Sequence, residues 1–328
     1  MGRIGPSLRA HLTPRFCAPF QMTRYLGRRL IAAVPVLWGV ATLVFIVMRI
    51  LPGDPAALML SEGGGSAESI AALRAELGLD DPLPIQYGRY LLDLLQGNLG
   101  TSLLTQRPVA TTIAEQLPST IQLAVAAMCV AVGLGTLLGV VAAAKRDTWI
   151  DTAATTISVA GVSVPIFWSA LLLILVFSLW LGWLPATGQG GISHLIMPAL
   201  VLGFASAGAI ARLVRSSLLE VFTQDFINTA RAKGLREITL LERHALRNAF
   251  IPVITVIGLQ FGFLLGGTVV IETIFSRQGI GRLVVNAILW KDFPVVQGVA
   301  LLVALFYTLI NLSTDIVYAF LDPRIRYD

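Results

Sequence analysis

The sequence predicts an all-α protein that crosses a membrane six times, and three observations carry that reading. Charged residues are 13% of the 328 and hydrophobic residues 55%, whereas a soluble domain carries about a quarter charged residues. Several apolar runs come close to the roughly twenty residues that a helix needs to cross a bilayer core. Lys and Arg are distributed unevenly among the connections, as they are in multi-pass membrane proteins.

The first run, 30–50, follows an arm at 1–24 that holds Arg3, Arg9, Arg15, Arg24 and three prolines. A cleaved signal peptide is the rival reading. The run is too long for a signal core, contains Pro35, and lacks a small-x-small cleavage site at its end. An uncleaved first span is therefore expected. The second run, 120–143, closes at Lys145 and Arg146. The third, 152–181, is too long for one straight crossing, and Pro165 marks a kink. The remaining spans fall at 195–213, 251–271 and 295–318. With the N-terminus inside, 17 of the 24 basic residues are cytoplasmic and seven are not, which places both termini in the cytoplasm.

The outer segment, 51–119, holds two helical pieces. One covers 67–77 and stops at Gly78. The other starts near Pro84 and carries Ile85, Leu91 and Leu95 on related faces. These pieces fit either a lid of short helices or a docking surface for an extracytoplasmic partner.

Charge patterning and the motifs that are missing argue against several functions. The ranges 121–144, 152–184, 195–211, 251–271 and 294–314 contain no Asp, Glu, Lys or Arg. An ion-coupled secondary transporter would place a carboxylate at such depths. Glu272 and Asp315 fall at span ends, where capping or interface roles are expected, and His194 is expected at an interface. No His-Glu-x-x-His or Gly-x-Ser-x-Gly motif points to an intramembrane enzyme. No basic soluble domain offers a nucleic-acid surface. Cys17 and Cys129 suggest neither a disulfide nor a metal site, and no internal repeat is visible.

One charged stretch interrupts the apolar pattern, at 214–250. A helix is predicted over 218–233, with Leu219, Phe222, Phe226 and Ala230 as an apolar stripe and Gln224, Asp225, Asn228 and Arg231 opposite. Gly234 then serves as the C-cap. A second helix begins near Arg236, with Ile238, Leu241 and Ala245 on one stripe and Glu237, Arg243 and Arg247 as its polar side. Such a hairpin could lie on the inner leaflet, or it could enter a groove of a soluble partner. The tight Gly turn favours the partner.

Here the chain resembles the permeases of ATP-binding-cassette importers, in particular the peptide, dipeptide and nickel branch. The loop motif of that family runs Glu-Ala-Ala, three residues, Gly, nine residues, Ile-x-Leu-Pro. Aligned on Gly234, it matches at Ala230, Gly234 and Leu246. The peptide-branch version resembles Thr229, Ala230, Arg231, Ala232, Lys233, Gly234, Leu235, and then Arg243, His244, Ala245, Leu246, Arg247, Asn248, Ala249. Leu51-Pro-Gly-Asp-Pro55, Leu77-Gly-Leu-Asp80 with Gln86 and Tyr87, and Gly97-Asn-Leu-Gly-Thr-Ser102 are similar to the same branch. So are the stretch from Leu264 to Phe275, Gly279-Ile-Gly281 and Leu321-Asp-Pro-Arg-Ile-Arg326.

The resemblance implies a type I importer permease fold over 25–328, with a cytoplasmic coupling helix in the 214–250 loop. Thr229 to Leu235, His244 and Leu246 would meet the ATPase. It implies a second homologous permease, two cytoplasmic ATPases that bind ATP and Mg, and an extracytoplasmic peptide-binding protein, assembled in a bacterial cell membrane. This chain has no Gly-x-x-x-x-Gly-Lys-Ser/Thr loop and would itself hold no cofactor. The expected solute is a dipeptide or oligopeptide, with nickel or glutathione as alternatives. By class, the rivals are a secondary transporter and a membrane scaffold. Ser163, Trp168, Gln260 and Gly262 are candidates for lining the translocation path. Close packing of small residues is the other reading of the glycines.

Overall fold

The computed structural model describes residues 19–50, 66–76 and 78–321. Most of the arm at 1–24, the Leu51–Pro55 motif and the tail motif after Leu321 therefore lie outside the described residues. Residues 19–24 of the arm already belong to the first helix, α1 (Pro19–Ile50). Two short helices follow, α2 (Ala67–Glu76) and α3 (Leu83–Leu95), close to where the outer pieces were predicted. Gly78 turns the chain between them at φ +63, a conformation that is cheap only for glycine. Next come α4 (Val109–Ala144), α5 (Trp149–Ser163), α6 (Ile166–Leu173, extended as a π-helix to Trp180) and α7 (Ser193–Phe222). The described residues end with α8 (Asp225–Ala232), α9 (Glu237–Thr239, continued by a π turn Leu240–Ala245), α10 (Leu246–Ile274), α11 (Ile280–Leu289) and α12 (Phe293–Leu321).

Among the described residues, five helices are long and apolar enough to cross a membrane, and six if α5 with α6 counts as one span. The helices of the fourth and fifth spans extend past their expected bounds, to Phe222 and from Leu246, and the second and third spans need larger correction. The second begins at Val109, eleven residues before the expected 120. Its first turns are held by packing: Val109 and Ile113 are buried with Ile280, Ala287, Val295 and Val299 in a separate small core. Hydropathy does not register such a helix extension, because it answers to neighbours and not to lipid.

In the third span the expected kink is a full break, with a bend of 104° between α5 and α6. Proline removes a donor and pushes the residue before it out of the helical region. Val164 accordingly sits at φ −81, ψ 128, and α6 restarts after Pro165.

The main core lies where α4 and α7 cross, with Leu123, Met197, Leu202, Ile210 and Leu218 fully enclosed. In lipid the helices gain little from apolar burial against one another, so small residues and close backbone approach hold them. A Cβ on Gly139 would lie 2.6 Å from the Ala211 carbonyl oxygen, and one on Gly135 2.8 Å from that of Ala207. From the other side, a Cβ on Gly203 would lie 2.7 Å from the Ala127 oxygen. Gly208 and Gly161 bring α7 against α5 in the same manner, at 2.1 Å from the Ser158 oxygen and 2.5 Å from the Phe204 oxygen.

Backbone cannot yield as a flexible side chain can. Gly139→Leu is therefore expected to destabilise the purified protein by roughly 1–3 kcal/mol, the scale of core overpacking. Gly133→Ala, with nothing within 4 Å of its Cβ, should leave the melting temperature unchanged or slightly raised. Thermal unfolding in detergent measures both.

Candidate functional site

The charged stretch folds as a helical hairpin, but its first half differs from the expected single helix. α7 stops at Phe222, and Gln224 is extended at φ −79, ψ 148 before α8 begins. This one extended residue re-aims the helix. Ile227 and Ala230 turn into the main core, whereas Phe226, assigned to the buried stripe from periodicity, is exposed. A stripe drawn through 218–233 assumes one unbroken helical phase, and the break resets it. Asp225 occupies the first turn of α8, where the helix dipole favours a negative charge.

The C-terminal end of α8 is as the sequence predicts. Gly234 takes φ +79, its N–H donates to the Arg231 carbonyl (2.9 Å), and the Leu235 N–H reaches back to that of Ala230 (3.3 Å). These two bonds form a Schellman motif, which satisfies carbonyls the helix would otherwise leave open. The Arg231 guanidinium donates across the turn to both carboxylate oxygens of Glu237, at 2.8 and 3.4 Å. The pair is solvent-exposed and therefore worth little in stability, but it spans the turn between the two arms.

The second arm also departs from the expected stripe. Between Leu240 and Ala245 the chain is a π turn, and these two residues, five apart, are the fully buried ones. Ile238 is 69% exposed. The wider π turn shifts the inward phase from a 3.6-residue period to five residues.

The candidate coupling residues fall into two groups. Thr229, Arg231, Ala232, Lys233, Gly234 and Leu235 form an exposed cap, and the Thr229 hydroxyl is bonded to the Asp225 carbonyl (2.9 Å). Ala230 faces inward beneath that cap. His244 and Leu246 are half-buried on the stem. The exposed surface thus mixes Phe226, Leu235 and Ile238 with Arg231, Lys233 and Arg236.

Two polar anchors hold the ends of the bundle, and the one at Asp151 escaped the sequence reading. At the hairpin end, Asp151 on α5 accepts from Arg215 Nε (2.8 Å) and Nη2 (2.7 Å), from the Asp147 N–H (3.1 Å) and from the Thr155 hydroxyl (3.3 Å). Arg215 lies on α7, so this two-pronged pair ties α5 to the helix that leads into α8.

At the opposite end Glu272 is fully buried. Its carboxylate accepts from Thr120 Oγ1 (2.7 Å) and from the N–H groups of Gly281 (2.8 Å) and Arg282 (3.2 Å). Thr120 Oγ1 in turn accepts from the Ile280 N–H (2.9 Å). The capping role expected at this span end is realised between helices: α10 caps the N-terminus of α11 and holds α4 as well. Here lies the reason for Gly279-Ile-Gly281. A Cβ on Gly279 would sit 2.3 Å from Glu272 Cδ, and one on Gly281 2.5 Å from Val269 Cα. Arg277, also enclosed, donates to the His194 carbonyl (3.3 Å), to Ser119 Oγ (3.3 Å) and to Gln122 Oε1 (3.5 Å).

The four candidate path residues fall on three helices, α5, α6 and α10. Ser163 and Trp168 are exposed on either side of the α5–α6 break. Gln260 is half-buried, and its amide donates to the Ser206 carbonyl on α7 (3.3 Å). Gly262 is buried, and a Cβ there would meet the Tyr307 ring at 2.8 Å. Gly258 sits in the same way beneath Thr314, so these two glycines seat α12 against α10.

The model of the binding-protein-dependent transport system inner membrane component matches residues 135–327, and that of the N-terminal region of such components matches 22–124. The chain belongs to this family, the permease subunits of ABC importers.

The chain is 46% identical over 315 residues to a Brucella abortus (strain 2308) protein provisionally named a peptide transport system permease. The match covers 94% of this chain and all of that one. It is 45% identical over 306 residues to the glutathione transport system permease protein GsiC of Salmonella paratyphi A, covering 93% and 100%. In fold it is similar to a chain of the inward-facing MetNI methionine ABC transporter, with a TM-score of 0.56 at 18% identity, over 65% of this chain and 97% of that one.

Glu272→Ala strands three buried donors and should cost about 3–5 kcal/mol, the scale of breaking a buried charged network. Glu272→Gln, which keeps an acceptor, should cost visibly less. Melting temperatures of the two variants, compared with wild type, decide the order.

Proposed function

We propose that this chain is one permease of an importer for dipeptides or short oligopeptides, working with a second, homologous permease to enclose the path. The hairpin end faces the cytoplasm, as do both termini. Two ATP-binding-cassette ATPases grip the two hairpins of the pair and bind the ATP and Mg. An extracytoplasmic binding protein delivers the peptide. The observation that carries this reading is the construction of the hairpin. α8 is closed by a bonded Gly turn, braced by Arg231 and Glu237, and rooted in the core by Ile227, Leu240 and Ala245.

A force on the cap reaches the bundle through two stiff routes, back along α7 and onward through the π turn into α10. The 29 residues of α10 span about 43 Å at 1.5 Å per residue. At its far end Glu272 pins α10 to α11 and α4, so displacement at the hairpin is passed on as tilt of α10, with Pro252 in its second turn as the place where the helix can bend. Rigid-body rearrangement of this kind is a common form of switching. Affinity for the solute can reside in the delivery protein, so a path free of ionisable groups at mid-depth suits a loosely selective conduit. Peptide is the solute class because the chain shares close to half its residues with relatives named for peptide and glutathione transport, and glutathione is itself a tripeptide. Glutathione is therefore the second reading.

Two tests apply. Gly234→Val puts a β-branched residue at φ +79 with no neighbour to clash against, so only the turn is perturbed. Uptake should fall at least about tenfold, with ATP hydrolysis by the complex largely kept, and Gly234→Asn should recover part of the loss because Asn tolerates this conformation. Unchanged uptake in the valine variant would remove the coupling role. In cells, labelled dipeptide uptake should stop on ATP depletion and survive a protonophore. Competition that is complete with glutathione and absent with dipeptides would select the second reading.

A further inference from the structure

At the end of the bundle remote from the hairpin, a pocket of about 290 Å³ with charged groups in its wall opens between the end of α1, the end of α3 and the start of α12. Below it runs an apolar groove of about 510 Å³ between α1, α3 and α12. Leu94, Leu99, Gly298 and Leu301 line both, so the two form one continuous depression.

Its chemistry changes sharply along its length. The groove walls are almost wholly apolar, with Val34, Leu37 and Trp38 of α1 facing Leu302 and Leu305 of α12. The pocket holds Arg49 and Asp93. Among the described residues these two pair neither with each other nor with another charged side chain, although the acids and bases beside them do: Arg74 with Asp80, and Arg89 with Asp81. Arg49 instead lies 5.2 Å above the Phe45 ring, a contact that holds a cation in place while leaving its donors available. The Tyr90 hydroxyl, enclosed and without a partner among the described residues, is in the same wall. Burial and the neighbouring Tyr87 push it up to about 12, so it remains a neutral donor.

The dimensions match half a bilayer. Fifteen residues of α1 separate Val34 from Arg49, about 22 Å at 1.5 Å per residue. A bilayer including its headgroups is roughly 40–45 Å thick, so the depression is one leaflet deep. Its mouth carries one cation and one anion, and its body carries none.

We propose that this depression is a binding site for one zwitterionic aminophospholipid of the outer leaflet. Its phosphate lies on Arg49, its ammonium on Asp93, and an acyl chain fills the groove between α1 and α12. The opposite charges decide the headgroup class: an anionic glycerol headgroup would satisfy Arg49 and be repelled by Asp93. The lipid would wedge α12, which packs on α10 at Gly258 and Gly262, and would set how tightly those helices close.

The test uses the full-length chain, purified with the partner subunits it retains and washed free of lipid. Dioleoyl phosphatidylethanolamine and dioleoyl phosphatidylglycerol are then titrated separately and followed by native mass spectrometry. One phosphatidylethanolamine per chain should be retained in preference to phosphatidylglycerol. Arg49→Gln should weaken retention roughly tenfold, the worth of one charge-assisted hydrogen bond. Arg49→Lys should keep most of it, which separates loss of charge from loss of fold. Asp93→Asn should abolish the preference between the two lipids, and Leu305→Trp should block both. Retention by wild type no better than by Arg49→Gln and Leu305→Trp would overturn the site. Equal binding of both lipids, unaltered in Asp93→Asn, would overturn the headgroup assignment. Cross-linking of the groove to a protein segment in place of lipid would do the same for the occupant.

Discussion

The crossing of α4 and α7 is the contact on which the rest of the bundle depends. Inside a bilayer a helix gains almost nothing by hiding a leucine from lipid, so what holds two helices is the number of atoms that can touch. Gly135, Gly139 and Gly203 remove the side chains that would keep these backbones apart, and the flanking Ala127, Ala207 and Ala211 let them meet. α5 then packs on the exposed side of α7 through Gly161 and Gly208. α10 closes on the other side, and its Gln260 amide is bonded to the Ser206 carbonyl.

The two ends of this dry core are fastened by carboxylates. Asp151 and Glu272 are both buried and both held by several donors, as a buried charge must be if it is not to destabilise the fold. Asp151 joins α5 to the helix that leads into the hairpin, and Glu272 joins the far end of α10 to α4 and α11. Between these anchors the ranges 121–144, 195–211 and 251–271 carry no Asp, Glu, Lys or Arg, so no ion pair has to be held at mid-depth.

The hairpin follows the same logic in water. Its cap is exposed and mixes cations with apolar side chains, while its roots are fully enclosed. The Ile227, Leu240 and Ala245 contacts turn a short surface helix into part of the bundle.

Much of this was legible in the residues. Apolar run lengths and the Lys and Arg imbalance determine a multi-span helical protein. Gly234, Gly78 and Pro165 determine their turns by themselves, because a left-handed conformation or a missing donor acts within a residue or two. The break at Gln224, the inward turn of Ile227, the π phase that exposes Ile238, and the early start of α4 at Val109 were decided by tertiary packing. Each depends on which neighbour a residue meets, and helical periodicity assumes a single phase that those neighbours are free to reset. The networks around Asp151 and Glu272 join residues 64 and 152 positions apart. No local pattern encodes such a partnership, since the hydrogen bond exists only once the helices have come together.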